Sequence, residues 1–152
     1  MQVPMDLPLC PLAGAILLQN GAVLLGKRAP DRLLYPGLWD VFGGHVEEHE
    51  SPEQALAREL HEELGITVLT FTEVAVVEFE VAAADGTGDH PATRYAYHLF
   101  HVTRCAGMPQ NRLLGEHSEI RWVPLDEVES LRLASPEYLP IFRRIAGSHG
   151  AP

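Results

Sequence analysis

Cysteine is scarce in this chain. There are two, Cys10 and Cys105, far apart and not in a C-x-x-C pair. That excludes a disulfide framework and a Cys-based zinc site, and it points to a reducing, cytoplasmic setting. Long apolar runs are also missing. Nothing approaches the ~20 residues of a membrane span, so no membrane partner is expected. The stretch Met1 to Pro11 has no basic region and does not read as a signal peptide. Basic charge is the third shortage. Eleven Lys and Arg stand against 21 Asp and Glu, a formal net charge of -10. A protein that tracks duplex DNA or long RNA needs a basic footprint, so that class is excluded too. Small anionic ligands remain open, because a bound divalent cation reverses the local field.

What is present suits one globular domain. The 152 residues are 46% hydrophobic and 21% charged, enough to build a real core. Residues 1–152 are read as a single domain with flexible ends at 1–12 and 147–152. Asn20-Gly21 divides two apolar runs and signals a hairpin, with strands near Ala15–Gln19 and Ala22–Lys27. A turn-rich stretch follows and leads to a short strand at Asp40–Phe42. Ser51-Pro52-Glu53-Gln54 is a capping box with Pro at the first helical position, and Gly65 supplies a left-handed stop. The helix is expected over Pro52–Leu64. Alternation in "VVEFEVA" and "TRYAYHLFHV" predicts a long hairpin across the polar loop "AADGTGDHPA". "EIRWVPL" reads as one more strand, with Trp122 in the core. A C-terminal helix opens at Ser135-Pro136, although Pro140 sits awkwardly inside it.

The segment from Gly44 to Ile66 carries Glu47, Glu48, Glu50, Glu53, Glu59, Glu62 and Glu63, with one Arg, Arg58. Residues three and four apart on a helix are neighbours, so Glu59 faces both Glu62 and Glu63. Such like-charge pairs each cost a few tenths of a kcal/mol. Arg58 offsets part of this through Glu62, four residues on. An acidic cluster is most often a solvated helix face. Three carboxylates on one face also match a hard, oxygen-seeking cation such as Mg2+.

The pattern resembles a known family. Gly44, Glu50, Arg58, Glu59, Leu60, Glu62, Glu63, Gly65 and Ile66 fit the Nudix box, G-x5-E-x7-R-E-U-x-E-E-x-G-U with U bulky aliphatic, at every fixed position. From average residue frequencies a chance full match is below roughly 10⁻⁶. Flanking segments from Gly14 to Val128 look similar to the family as well. The resemblance implies an α/β fold, the Nudix α/β/α sandwich, with a mixed sheet between the box helix and the C-terminal helix. It implies that Glu59, Glu62, Glu63 and the Gly44 carbonyl bind metal. Mg2+ is the expected cofactor, with Mn2+ able to substitute. It further implies that Arg58 orients a box glutamate and that Glu50 holds the loop. The implied reaction is hydrolysis of a nucleoside diphosphate linked to another group. The implied partners are a small nucleotide substrate and a second copy in a homodimer.

Several points stay open at this stage. The catalytic base is a box glutamate (Glu62 or Glu63) or an acid from a later loop, with Glu119 the candidate and Glu116 its rival. Lys27, Arg28, Trp39 and His45 are candidate substrate contacts, each with a plainer reading as strand end, core or surface. Phe42 departs from the family's usual proline before the two glycines. By elimination the chain looks like the MutT-like group, which converts (deoxy)nucleoside triphosphates, including modified or oxidised ones, to monophosphate and pyrophosphate. The proline of ADP-ribose hydrolases and the tyrosine of dinucleoside polyphosphate hydrolases are absent near Val81–Ala84. The alternatives are hydrolysis of ADP-ribose or another nucleotide sugar, or a non-catalytic nucleotide-binding regulator. An isomerase needs a catalytic cysteine that "LCPL" and "TRCAG" do not provide.

Overall fold

The computed structural model describes residues 7–83 and 91–149. Chain order is β1 (Leu9–Ile16), β2 (Leu18–Gln19), β3 (Ala22–Arg28), β4 (Trp39–Asp40), β5 (Phe42–His45), α1 (Pro52–Leu64), β6 (Thr67–Val81), β7 (Thr93–Ala106), β8 (His117–Pro124), α2 (Leu125–Val128) and α3 (Tyr138–His149). One four-stranded sheet runs β5-β1-β7-β6. The other runs β2-β3-β4, with β8 also paired to β3. β1 and β7 are parallel, while the other pairs are antiparallel. The expected mixed sheet is therefore split into two hydrogen-bonded halves.

The halves share one layer because their strands alternate between the same two cores. Leu24 of β3 and Phe100 of β7 pack on Leu56, Leu60 and Leu64 of α1. Val23, Leu25 and Leu99 pack on Ile141, Phe142 and Ile145 of α3. With side chains alternating every second residue, one layer of strands serves both helices. This is the α/β/α sandwich.

α1 occupies the expected span because its ends are set locally. Ser51 Oγ accepts from the Gln54 backbone N–H, and the Gln54 side chain accepts from the Ser51 N–H. Gly65 closes the helix at φ 72 and donates to the His61 carbonyl. Asn20 and Gly21, at φ 54 and 77, make the tight turn between β2 and β3.

Other expectations need correction. The strand read at Ala15–Gln19 breaks at Leu17, where the chain passes from one sheet to the other. β1 starts at Leu9, so Leu9–Leu12 belong to a strand and not to a flexible end. Pro11 lies just before the β5 pairing begins at Leu12–His45. Gly147–His149 likewise belong to α3. Residues 1–6 and 150–152, and 84–90 of the polar loop, lie outside the described residues. The hairpin extends well beyond its expected ends, from Val81–Thr93 back to Thr67–Ala106. Trp122 is 37% exposed. Val123, paired with Val23, takes the α3 side of β8, and Trp122, paired with Leu24, takes the α1 side of this edge strand, where it is left partly uncovered. Pro140 falls in the first turn of α3, where a missing N–H costs nothing. Among the described residues, no helix is long and apolar enough to cross a membrane.

Ser51→Ala is expected to lower unfolding free energy by about 1 kcal/mol. Leu60→Ala, at a fully buried position, is expected to cost about 2–5 kcal/mol. Urea titration followed by far-UV circular dichroism checks both.

Candidate active site

The buried face of α1 comprises Ala55, Leu56, Leu60, Glu63 and Leu64. Glu63 thus takes a position in an apolar stripe, and it is only 2% exposed. Its Oε2 atom is buried with no hydrogen-bond partner. Burial pushes the Glu63 carboxyl well above the usual carboxylate range, and the charges of Glu59 and Glu116 add to this. Glu59 is pushed up by burial too, against the opposing pull of Arg58. Its carboxylate lies on Gly44, where an added Cβ would stand 2.6 Å from the Glu59 Cδ. Glu62 is half-exposed. The three box acids therefore sit in three different environments.

Arg58 ties the loop to the helix. Its Nε and Nη2 donate to the two oxygens of Glu50, at 2.8 and 2.9 Å. Its Nη1 donates to Glu59 at 2.9 Å, and its Nη2 also donates to the His45 carbonyl at 3.0 Å. The contact with Glu62 is longer, 3.5 Å. The expected i,i+4 pair is therefore the weaker one, because the bidentate fit to Glu50 claims the guanidinium. Arg58 and the Glu47 N–H hold the Glu50 carboxyl down to about 2.

A second segment completes the cluster. The Gln110 and Arg112 N–H groups donate to the carbonyls of Leu64 and Glu63, each at 3.0 Å. These bonds satisfy acceptors left open at the end of α1. They also hang the 107–116 loop on α1. Glu116 and His117 thereby reach Glu63: one ligating atom from each of the three lies within 4.8 Å of the others. His117 Nδ1 is 4.0 Å from Glu63 Oε1. Burial, with Arg28 and Arg32 nearby, pushes the imidazole down to about 4. It is uncharged at neutral pH, so the contact is not an ion pair.

Glu119 stands apart from this cluster. A bulge opposite Lys27/Arg28 places an extra residue between His117 and Glu119. His117 then shares a face with Ile120, on the α1 side, and packs on Phe42 at 4.9 Å. Glu119 faces the other way with Arg121, which bonds to it at 3.2 Å. Glu119 is not among the residues lining the cavity, whereas Glu116 is. Between the two loop acids, the geometry favours Glu116.

The cluster opens into a cavity of about 440 Å³. Its lining includes Glu59, Glu63, Glu116 and Gly44 together with Tyr35, Phe79 and Tyr95. Phe79 and Tyr95 stack at 5.0 Å, and Tyr35 meets Phe79 edge-on at 6.4 Å. Tyr35 holds φ 51, the left-handed region that a bulky side chain rarely adopts. Asp40 also lines the cavity, is buried, and accepts from the Tyr138 hydroxyl at 2.6 Å and the Val41 N–H at 2.8 Å. Arg28 stands 3.6 Å from its other oxygen. Burial, the largest effect, leaves the Asp40 carboxyl raised.

Of the four proposed substrate contacts, Arg28 and His45 line this cavity, while Lys27 and Trp39 do not. Lys27 pairs across strands with Glu119. Trp39 is 5% exposed in the α3-side core, with Arg121 4.7 Å above its ring. The sequence reading missed Tyr35, Asp40, Phe79, Tyr95, His117 and Tyr138. Only Glu63's burial had a legible signal: it falls seven residues after Leu56 and three after Leu60, on the apolar stripe.

A buried carboxylate oxygen with no partner, ringed by other carboxylates, fits a hard divalent cation and, through it, the oxygens of a pyrophosphate. The NUDIX domain profile matches residues 9–145, and the chain belongs to the Nudix hydrolase family. It is 35% identical over 124 residues to the nucleoside triphosphatase NudI of Enterobacter sp. (strain 638), covering 78% of this chain and 84% of the relative. It is 35% identical over 130 residues to the CTP pyrophosphohydrolase of Escherichia coli (strain K12), covering 86% of each. The crystal structure of a MutT NUDIX hydrolase from Burkholderia pseudomallei superposes with a TM-score of 0.72 at 26% identity, covering 91% of this chain and 98% of that one.

The Arg58–Glu50 clamp predicts a pH signature. Glu50 is depressed from 4.5 to about 2 in the folded protein. Its contribution is therefore complete above about pH 4.5 and lost as pH falls toward 2. Glu50→Gln is expected to lower Tm at pH 7, with the gap to wild type closing between pH 4.5 and 2. Thermal melts across that range in EDTA measure it.

Proposed function

We propose that the protein is a Mg2+-dependent pyrophosphohydrolase that converts a (deoxy)nucleoside triphosphate, canonical or with a modified or oxidised base, to the monophosphate and pyrophosphate. One observation carries the reading: a single cavity holds a desolvated carboxylate cluster and an aromatic slot. The names of two relatives, a nucleoside triphosphatase and a CTP pyrophosphohydrolase, support the same substrate class.

Each residue takes a part in this reading. Glu59, Glu62, Glu63 and the Gly44 carbonyl hold the cation, with Mn2+ able to replace Mg2+. Bound there, the cation supplies positive charge to the phosphate oxygens and makes water easier to deprotonate. Arg58 fixes Glu59 and the loop through Glu50. Glu116, on the loop hung from α1, accepts the proton of the attacking water. The water oxygen bonds to phosphorus, the bridging P–O bond breaks, and pyrophosphate leaves. Tyr35, Phe79 and Tyr95 take the base by stacking. His45 and Arg28, which line the same cavity, serve as polar contacts for sugar or phosphate.

The test is product release from a panel of canonical and oxidised triphosphates, ADP-ribose, dinucleoside polyphosphates and nucleotide sugars, with Mg2+, Mn2+ or EDTA. Pyrophosphate and monophosphate from a triphosphate, abolished by EDTA, are expected. Turnover confined to ADP-ribose or a nucleotide sugar would overturn the substrate class. Tight cation binding without any turnover would leave a binding protein. Glu63→Gln should cut kcat by at least about 10²-fold. In EDTA at pH 8 the same variant should melt higher than wild type, because no carboxylate is left desolvated at that position. Glu116→Gln should slow turnover by about 10²–10⁴-fold and Glu119→Gln by less than about threefold. Equal effects would remove Glu116 from its assigned role.

A further inference from the structure

The carboxylates explain a hard cation, but they leave His117 without a task. Its ring is buried at 4% exposure. One side packs on Phe42 at 4.9 Å, and Gly26 makes room for another: a Cβ there would stand 2.6 Å from the His117 Cδ2. The Nδ1 edge is turned to the carboxylates, 4.0 Å from Glu63 Oε1. The bulge after His117 is what swings the ring to this face. The Asn111 side chain fixes the start of β8 by donating to the His117 carbonyl at 2.9 Å.

The distances suit a shared ion. The ligating atoms of Glu63, Glu116 and His117 lie within 4.8 Å of one another. With bonds of about 2.1 Å, opposite ligands of an ion stand about 4.2 Å apart, close to the 4.0 Å between His117 and Glu63, and ligands at right angles stand about 3.0 Å apart, so the third ligand has to close in by about 1–2 Å. Small side-chain movements therefore bring all three to one ion. A second feature points to a ligand independently: Glu63 Oε2 is buried and has no partner. The donor set would then be two oxygens and one neutral imidazole nitrogen. Imidazole suits Fe2+, Ni2+ and Zn2+ better than Mg2+, which favours oxygen and water.

We propose that His117 is a nitrogen ligand to a cation shared with Glu63 and one oxygen of Glu116, whose other oxygen keeps the proton-accepting part, and that it biases this position toward a transition-metal ion over Mg2+. The inference rests on the proposed function only in taking Glu63 as a cation ligand.

The test uses the full chain loaded with Mn2+ and pulsed electron paramagnetic resonance, which detects nitrogen bonded to the ion. Wild type should show 14N modulation that converts to 15N modulation when histidine is 15N-labelled. The modulation should vanish in His117→Gln and persist in His45→Gln, the other imidazole lining the cavity. By competition calorimetry, His117→Gln should reduce the preference for Zn2+ over Mg2+ by at least about tenfold. Mn2+ that binds, is lost in Glu63→Gln, and shows no histidine nitrogen would overturn the inference while leaving the proposed function intact. Modulation that follows His45 would overturn it as well. If no Mn2+ or Mg2+ binds at all, the proposed function fails with it. Should His117→Gln not fold, the 15N-histidine spectrum of wild type with that of His45→Gln still decides.

Discussion

A carboxylate stripped of water on the apolar face of a helix sets the terms for the rest of this molecule. Glu63 is held there by the residues around it in the stripe, since Leu56, Leu60 and Leu64 are all fully buried. Their burial outweighs the desolvation of one acid, which takes up a proton or a cation to relieve it. The Arg58 guanidinium is committed elsewhere, to Glu50, Glu59 and the His45 carbonyl. What the chain brings beside Glu63 is more acid, Glu116, and an uncharged imidazole, His117. A buried, unpartnered carboxylate oxygen with these neighbours has the chemistry that fits a hard cation.

The neighbouring glutamates show how one short motif yields separate tasks. Glu59 is half-sheltered, laid on a glycine and gripped by Arg58. Glu62 is half-exposed and keeps most of its water. Glu63 has almost none. Identical side chains within five positions thus meet three dielectric environments, and a low dielectric both raises the carboxyl pKa and strengthens attraction to a divalent ion. The rotation of the helix, 100° per residue, is enough to produce the difference.

The cavity depends on elements far apart in sequence. β6 and β7 bring Phe79 and Tyr95 into stacking contact. The loop after β3 adds Tyr35 in a left-handed conformation. α3 is anchored to β4 by the Tyr138–Asp40 hydrogen bond. The loop before β8 is bonded to the end of α1. The acidic cluster and these aromatic rings thus line one cavity.

How much of this was legible in the chain follows from the range of the forces involved. The helix Pro52–Leu64 and the Asn20-Gly21 turn were read to the residue, because caps and turns are made by groups within five positions of each other. The acidic box was legible for the same reason, and with it the family and the sandwich. Strand ends were not: β1 starts at Leu9 and changes sheet after Ile16 because of partners in β5 and β7, far along the chain. Simple alternation puts His117 and Glu119 on one face, and a single bulge against β3 separates them. Trp122 looked like core and lies at an edge, because only the sheet order says which strand has a neighbour. Local chemistry alone determined the helix and its charges, and the reaction class came through the family resemblance that the box carries. Which acid stands beside Glu63, which aromatics form the slot, and where the imidazole points were decided by tertiary pairing, because each depends on strand register between segments that meet only when the chain is folded.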